Sequence, residues 1–280
     1  MTTKRPFEFF ICKSTKITKA LSVFFSVLIF SQNIYSKPTL PATKEANSPI
    51  FQIRLYHLKD GNQVKMTDNF LKEAYLPALH RLAIKNIGVF KPIANDTASD
   101  KLIYVLIPFT SLDQWMKIND RLNNDASYKS SAEKFLSADS KNPAFQRLES
   151  ILLQAFSGQE FLNVPKQKDP ERVFELRSYE SPTWHLADKK RAMFNKDEMG
   201  IFKKLGFDPV YYAEVISGSH MPNLMYMPIF KSVEDRNAQW KVFGNDPKWK
   251  EVSKDPFNEN NVSVSHIDSI LMHSTEYSDY

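Results

Sequence analysis

Cysteine is almost missing from this chain: its 280 residues hold one, Cys12, near the start. Thiol nucleophiles, thiolate zinc sites and iron–sulfur clusters are therefore excluded beyond that point, and the fold must stand on its cores without disulfides. Glycine is scarce too, with seven residues. No phosphate-cradling loop, dinucleotide fingerprint or nucleophile elbow occurs, so nucleotide-dependent catalysis is not expected. The six histidines, His57, His80, His185, His220, His266 and His273, show no H-E-x-x-H or H-x-H spacing. No metal site is expected from their order in the chain.

A strong charge of one sign is lacking once the first residues are set aside. Lys4, Arg5, Lys13, Lys16 and Lys19 face a single acid, Glu8, within residues 1–36, and the remainder carries 32 basic against 31 acidic residues. A nearly neutral body offers no electrostatic footprint for nucleic acid or for an anionic membrane. Residues 1–36 have the order of an export signal: a basic stretch, an apolar run from Ala20 to Phe30, and a polar end at Tyr35-Ser36. As a helix that run spans about 16 Å, short of a bilayer core of about 30 Å, so a cleaved signal is expected with no integral membrane span left behind. The expected compartment is the bacterial periplasm or the exterior.

What is present is a repeat. Phe51-Gln52-Ile53-Arg54-Leu55-Tyr56 answers Phe174-Glu175-Leu176-Arg177-Ser178-Tyr179, 123 positions later. Leu102-Ile103-Tyr104 answers Leu224-Met225-Tyr226, Ser111 answers Ser232, and Ser150-Ile151-Leu152 answers Ser269-Ile270-Leu271. Each copy reads as βαββαβ. Alternation over Ile50 to His57 predicts a strand with one buried face, and a helical spacing follows through Phe70, Leu71, Tyr75, Leu79 and Leu82. Pro77 should kink that helix or start a second segment, and Gly88 should close it. Further strands are expected at Lys101–Ile107 and Leu148–Phe156, with Ser111 capping a helix and another helix over Ala126–Leu136. The chain accordingly divides into a leader at 1–36, a flexible lead-in at 37–49, a first domain at 50–160, a linker at 161–171 and a second domain at 172–276.

The run Ala213-Glu214-Val215-Ile216-Ser217-Gly218, then Met221-Pro222-Asn223-Leu224-Met225-Tyr226-Met227, Asp235-Arg236, Trp240 and Asn245-Asp246-Pro247-Lys248-Trp249 resembles the NIPSNAP family. So does Leu76-Pro77-Ala78-Leu79-His80-Arg81 with Gly88-Val89-Phe90 in the first copy. The resemblance implies an α+β architecture of two tandem ferredoxin-like domains forming an intrachain pseudo-dimer of the dimeric α/β-barrel type. It brings no settled activity or catalytic set. The first copy departs from the pattern, with Gln114-Trp115 in place of Asp235-Arg236 and Tyr128 in place of Trp249.

Arg54 and Arg177 stand at equivalent strand positions, each two residues before a tyrosine, Tyr56 or Tyr179, on the same strand face. If that face lines the space between the paired sheets, the pair could orient a carboxylate or phenolic ligand. The bland alternative is a solvent-facing or ion-paired arginine. Tyr212 and Tyr226 are candidates for an aromatic pocket wall, against plain core packing. His80 and His220 complete the set, the first in the family-like helix and the second in a loop between strands. The leading expectation is a small-molecule binder without a cofactor, monomeric around a pseudo-dimeric core, with a higher oligomer left open. The alternatives are a cofactor-light oxygenase or haem-handling enzyme, by fold analogy alone, and a protein-interaction module.

Overall fold

The computed structural model describes residues 49–280. The expected leader and nearly all of the lead-in lie outside the described residues. The first half supplies strands β1 (Ile50–Leu58), β2 (Gly88–Pro92), β3 (Lys101–Phe109) and β4 (Arg147–Ala155). The second supplies β5 (Val173–Glu180), β6 (Asp208–Ser217), β7 (Asn223–Phe230) and β8 (His266–Ser274). All pairings are antiparallel, and the order β1-β3-β2-β8-β5-β7-β6-β4 closes into one barrel. Two seams join the halves, β2 with β8 and β4 with β6. Among the described residues this closure leaves no free sheet edge, so an interaction module working through one has no strand to offer.

Helices pack outside the barrel. The first half has α1 (Gly61–Phe70), α2 (Leu76–Arg81), α3 (Leu112–Asn123) and α4 (Ala126–Leu136). The second has α5 (Trp184–Met193), α6 (Met199–Lys204), α7 (Val233–Asn245), α8 (Pro247–Val252) and α9 (Asn260–Ser263). Side-chain oxygens start them where the sequence offers one. Ser111 accepts from the amide of Gln114, and Ser232 does the same for Asp235. Pro77 is the second residue of α2, directly after the π-helical turn, where its missing N–H leaves one backbone bond of the continuous helix unmade.

Three apolar clusters result. One fills the barrel interior and draws on both halves, with Phe51, Ile53, Leu55, Phe174, Leu176, Tyr211 and Met272 among its members. The others lie between the outer sheet face and the helices of each half. Strands β1, β5 and β7 are thus buried on both faces, and the one-faced alternation expected for β1 is corrected. Gln52, Arg54 and Tyr56 point into the helix layer instead of water. The halves also share the barrel core. Space between the sheets is taken up by side chains: Phe90, Phe174 and Tyr280 pack ring on ring at 4.8–6.0 Å. These rings occupy the barrel interior at one end.

Two local departures from regular geometry shape the helix layer. The helix running from α1 into α2 loosens to a π-helical turn at Leu71–Tyr75, and that from α5 into α6 does so at Phe194–Glu198, 123 positions later. The first helix ends not at Gly88 but at Leu82, where Ala83 turns left-handed at φ 61°, the place Gly206 takes in the second half at φ 80°. Gly88 opens β2 instead, and a Cβ there would lie 2.4 Å from the Phe90 ring.

Candidate functional site

The second half concentrates charged and phenolic groups between β5, β7 and the helices. Alternation along β5 sends Glu175, Arg177 and Tyr179 outward toward α7 and the π turn. Glu175 is fully buried and is the hub of one group. Its Oε1 accepts from Arg177 Nη1, Arg236 Nη2 and Ser269 Oγ, each at 2.6 Å, and its Oε2 accepts from Trp240 Nε1 at 2.7 Å and Arg236 Nε at 3.0 Å. Burial alone would raise the Glu175 pKa. The bonds from Arg236 and Ser269, the charge of Arg177 and the Trp240 indole outweigh it and bring the carboxyl down to about 2.

Arg177 links this hub to a second group. Its guanidinium donates to the Tyr179 hydroxyl at 2.8 Å and lies 4.6 Å from the centre of the Trp240 ring. The Tyr179 and Tyr226 hydroxyls are 3.0 Å apart, and Tyr226 stacks on Tyr212 across the β6–β7 pairing. Burial, foremost, keeps all three phenols protonated by pushing their pKa values up.

Glu198 closes the group from above, on the π turn. It is 3% exposed, and its Oε2 has no hydrogen-bond partner. Burial drives its pKa up to about 7, offset in part by the charges of Lys190 and Arg177. Lys190 is itself buried, which lowers its pKa, and it donates to the Asn258 carbonyl at 3.0 Å and Asn260 Oδ1 at 2.7 Å. The carboxyl of Glu198 therefore changes protonation near neutral pH, within an aromatic shell. A group of this kind can give or take a proton at physiological pH.

Beside this cluster, across Tyr212, opens a cavity of about 510 Å³ whose walls include Gln159, Asn195, Met199, Phe207, Asp208 and Tyr212. Tyr212 belongs to both, with one side in the packed layer and an edge on the cavity.

The first half keeps the frame and loses the charge. Gln52 replaces Glu175 and donates to Ser150 Oγ at 2.7 Å, as Ser269 serves Glu175. Trp115 stands where Arg236 would, and Tyr75 takes the place of Glu198 on the equivalent π turn, under Arg54 at 4.9 Å. The acid and its arginine are both absent from this half. Removing either alone would strand a buried charge.

Of the residues singled out from sequence, Arg177, Tyr179, Tyr212 and Tyr226 converge in this layer, while Arg54 and Tyr56 hold the equivalent place in the first half. Neither of the two arginine–tyrosine pairs faces the barrel interior. His80 and His220 are elsewhere: His80 bonds Asp279 at 3.0 Å, and His220 bonds Glu180 at 2.8 Å at one barrel mouth. Sequence reasoning missed Glu175, Lys190 and Glu198 as site residues. The signal for Glu175 was present, since a charged residue there faces glutamine in the other copy.

Residues 174–279, which contain this whole cluster, match the NIPSNAP family model. The second half of the chain is a NIPSNAP domain. No curated protein sequence matches the chain. Among solved structures, a candidate monooxygenase from Lactobacillus acidophilus NCFM superposes with a TM-score of 0.53 at 12% identity, covering 81% of this chain and 94% of that one. Another, from Fusobacterium nucleatum subsp. nucleatum ATCC 25586, gives 0.54 at 6% identity over 81% and 92%. An anthrone oxidase-like protein gives 0.50 at 7% over 82% and 92%. At such identities the likeness is one of fold, the dimeric α/β-barrel kind. The NIPSNAP domain accounts for four of the eight barrel strands, and its own residues form every polar contact of the Glu175 hub.

Proposed function

We propose that this chain is an exported small-molecule-binding protein, a tandem ferredoxin-like pseudo-dimer in which the NIPSNAP domain of the second half carries the working site. The observation that carries the reading is Glu198, a carboxyl with its pKa near 7 and a buried, unpartnered oxygen, behind the tyrosine wall of a cavity large enough for a small ligand. Phe207, Met199 and Tyr212 would receive an apolar or aromatic body, and Asn195, Asp208 and Gln159 would bond polar groups at its rim. The first half lacks the acid at both equivalent positions and serves as its structural partner.

Native mass spectrometry of the chain purified from its own host tests this. The expected result is a small molecule carried by the wild type and absent from Gly200→Phe, a substitution at a cavity-lining position whose Cβ meets nothing within 4 Å. A bare mass for the wild type, or equal loading of both, would overturn the reading.

A second, catalytic reading, a cofactor-light oxygenase, draws on the same carboxyl as an acid–base group and on the fold shared with the candidate monooxygenases. Haem fits poorly. His57, His80, His220, His266 and His273 are bonded at the surface or the barrel mouth, and His185 is exposed, so no imidazole is offered to the cavity.

A further inference from the structure

The two ends of the barrel differ. At one, aromatic rings fill the interior. At the other, the inward positions change from apolar to charged: after Phe174 and Leu176 on β5 come Ser178 and Glu180, and before Ile270 and Met272 on β8 come His266 and Asp268. His57, Asp100 and Glu149 face the same mouth from the first half. Tyr104, deeper in, registers this field: burial foremost, and then the charges of Asp268, Glu149 and Asp100, push its phenol up.

The charged groups form two unlike sets. His57 is clamped between two carboxylates, Nδ1 to Asp100 at 2.7 Å and Nε2 to Glu149 at 3.1 Å. With both ring nitrogens facing different acids, that set bridges and does not converge. The second set does converge. Glu180 and His266 are direct cross-strand partners, and Asp268 follows two residues along the same face of β8. One ligand atom from each of the three lies within 4.8 Å of the others. From the β6–β7 loop, His220, held left-handed at φ 63°, places Nδ1 2.8 Å from Glu180 Oε1.

We propose that Glu180, His266 and Asp268, with His220 as fourth donor, bind a divalent transition-metal ion at this barrel mouth. Donors on a tetrahedral ion with bonds of about 2.0–2.2 Å sit about 3.3–3.6 Å apart, so Glu180, His266 and Asp268 need only small side-chain movements, while His220, which lies outside that group of three, must swing in from its contact with Glu180. Two carboxylates neutralise the charge of the ion, and two imidazoles supply the nitrogen donors that favour zinc or cobalt over calcium or magnesium. The linear spacing gave no sign of this because the four donors come from three separate elements. The site is independent of the Glu198 cavity and stands or falls without it.

The test is titration of the untagged full-length chain with Co²⁺, followed by visible ligand-field bands, and then displacement by Zn²⁺. One equivalent should saturate the bands, and Zn²⁺ should abolish them. His266→Ala and Asp268→Asn should each weaken binding by about tenfold or more, and His57→Ala should leave it unchanged. His266 is exposed, so its removal should spare the fold, which far-ultraviolet circular dichroism verifies. Bands absent from the wild type, or unchanged in His266→Ala and Asp268→Asn, would overturn the site. Unchanged binding in His220→Ala would remove that residue as fourth donor.

Discussion

Replacing Glu198 by glutamine should remove a loss of stability that the wild type suffers as pH rises from about 4.5 to about 7. The carboxyl rises from its ordinary 4.5 to about 7 on folding, because burial disfavours its charged form. A raised acid contributes stability that is complete below the unfolded pKa and is lost as pH climbs through the folded one. Below about pH 4.5 the group is protonated in both states. Between about pH 4.5 and about pH 7 the unfolded chain has released a proton that the folded site still holds, and above about pH 7 both are ionised. Each tenfold in proton affinity is about 1.4 kcal/mol, so the wild type should lose about 3 kcal/mol between these limits. At 3% exposure, little solvent screening reduces that figure. Glutamine cannot ionise and should lose none of it, while any cost of burying its amide is the same at every pH. Urea unfolding of both proteins at about pH 4.5 and about pH 8.5 measures the difference, provided the urea slope stays the same. The variant should gain about 3 kcal/mol on the wild type between the two pH values. A constant gap would mean that Glu198 is hydrated or paired in solution, and the proposed acid–base role would fall with it.

Other perturbations draw on the same geometry. Arg236→Ala leaves the Glu175 carboxylate under-compensated and should cost about 3–5 kcal/mol, whereas adding Glu175→Gln to it should return a large part of that loss, as Gln52 with Trp115 does in the first half; a double-mutant cycle by thermal or urea unfolding reads both. Glu175, lowered to about 2, contributes stability present above 4.5 and lost as pH falls toward 2, about 3 kcal/mol, and Glu175→Gln should flatten that acid limb. Gly206→Ala should cost about 1 kcal/mol at its left-handed φ, and Ala83→Gly at the matching turn should gain a similar amount, both measured by denaturant midpoint.

The repeat was the legible part. The 123-residue offset between Arg54 and Arg177 corresponds to equivalent strand positions, and the caps at Ser111 and Ser232 start the helices expected of them. Barrel closure was not legible, because seams such as β2 with β8 join segments at least 180 residues apart in the chain and leave no local pattern. Glu175 was hidden by alternation: Phe174, Glu175, Leu176, Arg177 reads as an amphipathic strand, and a strand buried on both faces gives the same reading when its second face carries paired charge. Glu198 was hidden by its neighbours. Asn195-Lys196-Asp197-Glu198 has the composition of a solvated helix face, and the extra residue of the π turn rotates the last of them inward. Pro77 did announce a break, which proved to be the seam between the π turn and α2.

Barrel closure within one chain has a consequence for divergence. In an assembly of two identical subunits, a substitution appears in both sites at once, so an acid lost from one is lost from the other. Here each half is encoded separately, and the barrel closes without a second molecule, at any concentration. The two halves are therefore free to differ, with Glu175, Arg236 and Glu198 in one standing against Gln52, Trp115 and Tyr75 in the other. The charged cluster of the second half accordingly stands without a symmetry-related copy.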